Sequence, residues 1–262
     1  MEIYTKEQII EKLKQIRDLG WIPSNRQGNH GGIGNTLEDL LGIKENNLPI
    51  ANAAEWELKC QRANSGSLTT LFHLEPSPKG AELVSTLLLP KYGWKHKSAG
   101  IKYGEGEKSF RQTINAVTRT DRGFKVVVNR QARKIEVSFD ATTVSPIHAK
   151  WLESVKERVG NLDELYPQPY WGFDDLFHKT ATKLTNMFYV IGDRKFVNRV
   201  EHFHYRTIMM LSGLDQAKFI DSIEQNLVLI DFDARTGHNH GTKFRFRLGR
   251  LHELYNNVTL IE

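Results

Sequence analysis

The segment Ile50-Ala51-Asn52-Ala53-Ala54-Glu55-Trp56-Glu57-Leu58-Lys59 carries residue types that could do chemistry together. If it is extended, alternation sets Glu55, Glu57 and Lys59 on one face and turns Trp56 and Leu58 towards a core. Two carboxylates and an ammonium on one strand face can hold a hard divalent cation. Oxygen ligands suit Mg2+, which keeps several waters and takes one or two carboxylates plus substrate phosphate. The cation would lower the pKa of an attacking water, and the neighbouring lysine would orient it. Alone, the triplet Glu57-Leu58-Lys59 is unspecific, because an exposed strand with an ion pair along one face has the same pattern.

A second stretch is Asp233-Ala234-Arg235-Thr236-Gly237-His238-Asn239-His240-Gly241-Thr242-Lys243-Phe244-Arg245. Beyond it, Lys243, Arg245 and Arg247 alternate with Phe244, Phe246 and Leu248, so an extended chain backs a basic face with an apolar one. Arginine can clamp guanine O6 and N7 with two hydrogen bonds, and histidine can donate or accept at a base edge. His238 and His240 point the same way if extended, and Arg235 lies on the segment leading in. The same side chains could instead contact phosphates only, which positions a protein on DNA without reading sequence. His202-x-His204 and His238-x-His240 also raise zinc, since one-residue spacing on a strand puts both imidazoles on one face. Cys60 is the only thiol and no third histidine is close in sequence, so zinc is disfavoured. Nor is His238-Asn239-His240 the signature of HNH nucleases, whose letters stand for dispersed residues.

Charge distribution points to the partner. The chain has 262 residues, 36 Lys+Arg and 31 Asp+Glu, a formal +5. Between Lys91 and Lys134, twelve basic residues face three acids, Glu105, Glu107 and Asp121. From Arg235 to Arg250, five basic residues meet no acid, so these two stretches carry +14 on an otherwise acidic chain. Such blocks suit a polyanion, with solvated charged faces as the alternative. In the first block, Trp94, Tyr103 and Phe110 are expected to be packing anchors, because duplex DNA offers no free base face. At 39% hydrophobic and 26% charged, the composition excludes a disordered chain. No apolar run approaches the ~18 residues of a membrane span, so no membrane partner is expected. Met1–Gly20 is charged and periodic, unlike a secretion signal, and the single Cys60 suits a reducing interior, so a cytoplasmic location is expected.

The elements that must position these groups follow from periodicity. Ile9, Ile10, Leu13 and Ile16 predict a helix over 5–19 that ends at Gly20. After a glycine-rich stretch, Ser24–Gly34, Asn35 or Thr36 is the expected cap of a short helix through Leu41, ended by Gly42. A helix N-terminus behind such a loop can hold an anion, but the G-K-[ST] ending of a nucleotide-binding loop is missing. The loop could equally be a plain connector, and its Arg26 and His30 could reach a groove. Strands are expected at 55–60, 184–191, 196–205, 227–233 and 242–248, with a hairpin from Phe124–Val128 and Ile135–Phe139. Leu68–Leu74 is a further apolar segment, and Leu87–Leu89 reads as a core strand. Ser145–Val159 reads as helical, and a short helical turn is expected after Tyr166–Phe173. The class is mixed α/β or α+β with one central sheet.

Gly34–Gly42, the Glu57-Leu58-Lys59 strand and Asp233–Arg245, in that order, resemble the MvaI/BcnI restriction endonuclease family. Its core is similar to that of the mismatch-repair nickase MutH, within the PD-(D/E)xK nuclease fold. The resemblance runs from Gly20 to Arg247, and the first and last of these stretches are its specific parts. It implies a central mixed sheet flanked by helices, in one endonuclease domain over 1–262 with two lobes around a DNA cleft. Catalytic elements would lie in 20–90 and 174–195, and recognition elements in 91–140 and 200–250.

Carried over by position, Glu57 and Lys59 match the second acid and the lysine of the nuclease motif. Glu38 matches an acid on the preceding helix, and Lys183 an auxiliary lysine. The resemblance implies Mg2+-dependent hydrolysis of double-stranded DNA at a short G·C-rich site, with Mn2+ as a possible substitute. Arg235, His238, His240, Lys243 and Arg245 would recognise the site. Asn52, Glu57 and the Leu58 carbonyl would take the metal positions. Asn52 stands where the family has aspartate, and an amide oxygen is a weaker ligand, so cleavage is expected to be impaired. A change that lets the protein bind without cutting is preferred here over a naturally weak homologue. The family further implies a monomer that cuts one strand at a time, with a cognate DNA methyltransferase as functional partner. The alternatives are a non-catalytic DNA-binding protein and a mismatch-repair-type nickase; the Asp233–Arg245 stretch disfavours the nickase.

Overall fold

A computed structural model describes residues 4–26, 31–43, 56–63, 66, 68–247 and 249–262. The chain is α+β and divides into two compact units. The first unit comprises Met1–Thr69, Thr180–Gln216 and Arg247–Glu262, and the second Thr70–Lys179 and Ala217–Phe246. Where one central sheet was expected, the described residues form three.

In the first unit, helix Lys6–Asp18 forms as its periodicity predicts. Thr5 Oγ1 accepts from the Gln8 amide while Gln8 Oε1 accepts from the Thr5 amide, so two otherwise unsatisfied donors are met. The second helix, Gly32–Leu41, starts ahead of the expected Asn35 or Thr36 cap. Ile33, Leu37 and Leu41 recur every fourth residue and all are buried, and this apolar stripe extends the helix back through Gly34. Gly42 ends it in the left-handed conformation, φ 70°, where a side chain would be strained.

Both helices pack on a five-stranded sheet ordered Ile22–Pro23, Val200–Leu214, Asn186–Val197, Glu57–Arg62, with Tyr255–Leu260 also pairing with Val200–Leu214. Glu57–Arg62 runs parallel to Asn186–Val197, in register Glu57 with Met187, Leu58 with Phe188 and Lys59 with Tyr189; the other pairings are antiparallel. Trp56 and Leu58 join Phe188, Val190, Phe203 and the apolar stripes of both helices in one core. By alternation, Glu57, Lys59 and Gln61 face the opposite side of the sheet.

The second unit holds a sheet ordered Thr69–His73, Lys243–Phe246, Val228–Arg235, Lys108–Ile114, Trp94–Lys95, with His238–Asn239 also on Val228–Arg235. A three-stranded sheet joins the expected hairpin, Phe124–Asn129 and Lys134–Phe139, to Tyr170–Gly172. The core is aromatic. Phe110 meets Phe124 and Phe232 edge-on, and Phe72 stacks on Phe244 at 4.9 Å between centroids.

Three further sequence expectations are corrected and one helix is added. Leu87–Leu89 is helical, within a run from Val84 to Tyr92, because Leu83, Val84, Leu87 and Leu88 are buried at helical spacing. The strand expected at 196–205 contains a turn at Asn198-Arg199, between antiparallel strands Asn186–Val197 and Val200–Leu214. The turn expected after Phe173 is a full helix, Phe173–Lys183. Helix Gln216–Glu224 was not expected, although Phe219, Ile220 and Ile223 carry its buried face. Among the described residues, no helix is long and apolar enough to cross a membrane.

Candidate functional site

Glu57 is the centre of the first candidate site. Its side chain enters a covered face of the sheet and the residue is 3% exposed. An ionised carboxylate there needs compensating charge. Lys59, two residues along the same strand face, donates to Glu57 Oε1 at 2.6 Å. Lys183, at the end of helix Phe173–Lys183, puts its ammonium 3.8 Å from Oε2. Oε2 itself is buried and has no hydrogen bond among the described residues. One oxygen of the carboxylate therefore accepts from Lys59, and the other faces the Lys183 ammonium beyond hydrogen-bond distance.

The same face continues as a polar ladder. Tyr189, in register with Lys59, donates to Gln61 Oε1 at 2.8 Å, and burial pushes its phenol up to about 12. Tyr255, at the start of the last strand, is buried with no partner for its hydroxyl among the described residues. Burial, and then the charge of Glu57, raise the pKa of that phenol. Tyr255 was not singled out in the sequence, since nothing local ties it to Glu57.

The structure brings Glu57, Lys59 and Lys183 together. Glu38 lies half-buried on helix Gly32–Leu41, which packs on the Glu57–Arg62 strand. Glu38 acts electrostatically on Cys60, whose thiol pKa is raised by burial first and by Glu38 in smaller part. Leu58 sits on a strand at the end of its sheet's order, where one edge has no strand partner among the described residues. Asn52, Glu55 and His30 lie outside the described residues. Arg26 is tied to Asp39 at 3.2 Å on the second helix. A buried carboxylate oxygen without a hydrogen bond among the described residues is the kind of ligand a hard divalent ion takes. No group of three His, Cys, Asp or Glu side chains that could hold a metal occurs among the described residues, so neither His-x-His pair is completed into a zinc site there.

The second candidate site is built on the Val228–Arg235 strand. Its central position gives it a basic strand on each side, and acids hold the basic residues. Asp231 accepts from Arg245 at 3.1 Å and from Thr113 at 2.9 Å. Asp233 accepts from Lys243 at 2.8 Å and pairs with Arg111 at 3.1 Å. Burial pushes the Asp233 carboxyl up. The hydrogen bond from Lys243 and the charges of Lys243, Arg111 and His240 outweigh that and hold it below the usual range. Arg235 pairs with Glu107 at 3.1 Å and lies over the Tyr103 ring at 4.7 Å.

Phe244 and Phe246 are fully buried behind Lys243 and Arg245, as their alternation predicts. His238 and His240 are exposed, their rings 4.1 Å apart and nearly perpendicular. Glu75 fixes the following turn by accepting from the Thr242 amide and hydroxyl. Arg247 is exposed just beyond the Lys243–Phe246 strand. In the first basic block, Phe110 is buried, and acids from distant segments answer much of the charge: Asp221 and Glu224 hold Arg130, and Asp174 holds Arg133.

Comparison with known proteins bears on the fold and the family. A restriction endonuclease MvaI–cognate DNA substrate complex matches with a TM-score of 0.76 at 24% identity, over 99% of this chain and 100% of that one. Restriction endonuclease MvaI in the absence of DNA matches with a TM-score of 0.54 at 20% identity, over 100% of both chains. At these identities the likeness establishes a shared fold. No curated protein matches the chain. The model of the MvaI/BcnI restriction endonuclease family matches residues 10–255, which is nearly all of the sequence. The chain belongs to the MvaI/BcnI restriction endonuclease family.

Proposed function

We propose that the protein is a type II restriction endonuclease that binds double-stranded DNA and hydrolyses a phosphodiester at a short G·C-rich site, dependent on Mg2+ with Mn2+ able to substitute. The observation that carries this reading is the buried Glu57 carboxylate, held on one oxygen by Lys59 at 2.6 Å and, among the described residues, without a hydrogen bond on the other. On this reading the first unit is catalytic and the second is the main reader of sequence. Glu57, the Leu58 carbonyl and the residue at position 52 would hold the cation. When bound, it would lower the pKa of the attacking water and stabilise charge on the pentacovalent phosphorus.

Lys59 is fixed by Glu57 and so presents its remaining N–H donors in a set direction, towards the water and a phosphoryl oxygen. Lys183 adds positive charge beside the same carboxylate. Water attacks phosphorus, the bond to the leaving sugar oxygen breaks, and the proton lost by water passes to solvent as the leaving oxygen gains one. In the second unit, Arg235, His238, His240, Lys243 and Arg245 would meet base edges, while in the first Arg247 would contact DNA and Arg26 and His30 would reach a groove. Asn52 would leave this centre a neutral ligand short of charge, so the present chain would bind better than it cuts. A monomer in the cytoplasm, with a cognate methyltransferase protecting host sites, completes the proposal.

The test is cleavage of supercoiled plasmid by the Asn52→Asp protein with Mg2+ or Mn2+. Discrete fragments support a nuclease whose metal position Asn52 weakens. An intact plasmid beside a clear gel shift would instead favour the second reading, a sequence-specific binder without catalysis, which the neutral side chain at position 52 motivates.

A further inference from the structure

The hairpin formed by Asn186–Val197 and Val200–Leu214 ends in residues that the two sites leave unused. Register places Asp193 opposite His204, Lys195 opposite His202, and Val197 opposite Val200, all on one face. Trp21 lies against that face, with the Lys195 ammonium 4.3 Å from its ring and the His204 ring 5.6 Å away. Arg206, past a register shift between Tyr205 and Thr207, is exposed and pairs with Asp193 at 3.4 Å. On the opposite face, Arg194 is 3.7 Å from Glu201. The tip exposes Phe196 at 62%.

The turn itself is unusual. Asn198 and Arg199 both have positive φ, 50° and 66°, as a tight two-residue hairpin requires. Glycine is the unstrained choice at the second position, yet an exposed arginine occupies it, with no acidic partner among the described residues. A strained backbone that holds a bare cation at a projecting tip calls for a use. A second copy of the chain would bring like charges together, so the charge favours a polyanion.

We propose that this hairpin is an additional DNA-contacting element, in which Lys195 and Arg199 grip the sugar–phosphate backbone without reading sequence. His202 and His204 line the same strip, and Trp21 fixes the direction of Lys195 through its ring. This inference rests on the proposed DNA-binding function, and it concerns affinity common to all sequences.

The experiment compares the full chain with a Lys195→Gln/Arg199→Asn variant by fluorescence anisotropy. Two duplexes of three helical turns serve as probes, one G·C-rich and one wholly A·T, over a salt series. Asparagine tolerates the left-handed backbone at position 199, and a Lys195→Arg/Arg199→Lys variant keeps both charges. The neutral variant should bind both duplexes about tenfold or more weakly, with the salt slope reduced by about 2, while the charge-keeping variant stays near the parent. Equal affinity and slope in neutral variant and parent would overturn the inference and leave the DNA-binding reading intact. So would a loss confined to one duplex, which would mean base contact. A parent that binds neither duplex would overturn both.

Discussion

Replacing Lys59 with methionine tests whether the buried Glu57 carboxylate depends on its 2.6 Å partner. The variant keeps the aliphatic stem and removes the ammonium, leaving Lys183 at 3.8 Å as the nearest cation. Removing one partner of a buried ion pair costs about 3–5 kcal/mol, because the other charge stays desolvated. Lys59 is itself 20% exposed and Lys183 remains, so the low end applies, about 3 kcal/mol. For a chain of this size, that corresponds to a fall of roughly 6–12 °C in the melting of the protein. Circular dichroism melts at neutral pH in EDTA would measure it, since a bound cation would mask the effect by mass action. A second variant, Glu57→Gln/Lys59→Met, removes the charge that lacks a partner and should return to within about 2 kcal/mol of the parent. If Lys59→Met melts with the parent, or the double variant is no better than the single one, the reasoning fails.

Two further outcomes are expected in the second unit. Asp233 has a lowered folded pKa, so its ion pairs stabilise the unit above the ordinary aspartate range and are lost as pH falls through the lowered value. The melting gap between parent and Asp233→Asn should be constant near neutrality and close only below about pH 4, as a pH series of melts would show. Gly241 has φ 84°, and a Cβ there would meet His73 Cδ2 at 3.1 Å. Gly241→Ala should therefore cost about 1–2 kcal/mol in urea unfolding and, by displacing His240, weaken binding to the G·C-rich duplex.

Much of the first site was legible because strand alternation is local. Trp56 and Leu58 go to the core, and Glu57 and Lys59 share the other face. Helix Lys6–Asp18 and the Phe124–Phe139 hairpin were legible for the same reason. Tyr255 and the acids beside Lys243, Arg245 and Arg130 were hidden, since each reaches its partner only through sheet pairing or packing between distant segments. A count of charge along the chain cannot see a counter-charge on the next strand. Leu87–Leu89 and Phe196–Tyr205 show the other limit, because a short apolar run fits a strand, a buried helix or two strands with a turn.

The carboxylates of Asp231 and Asp233 act as built-in counter-ions for Lys243, Arg245 and Arg111. A bare cation gains by liberating salt condensed on a polyanion, but one that must first release its own anion gains less. Arbitrary polyanions therefore win little from this strand, whereas a ligand whose acceptors suit the preset geometry can share the donors without dismantling the pairs. Selectivity would then come from an exchange that is close to neutral for most sequences and favourable for few.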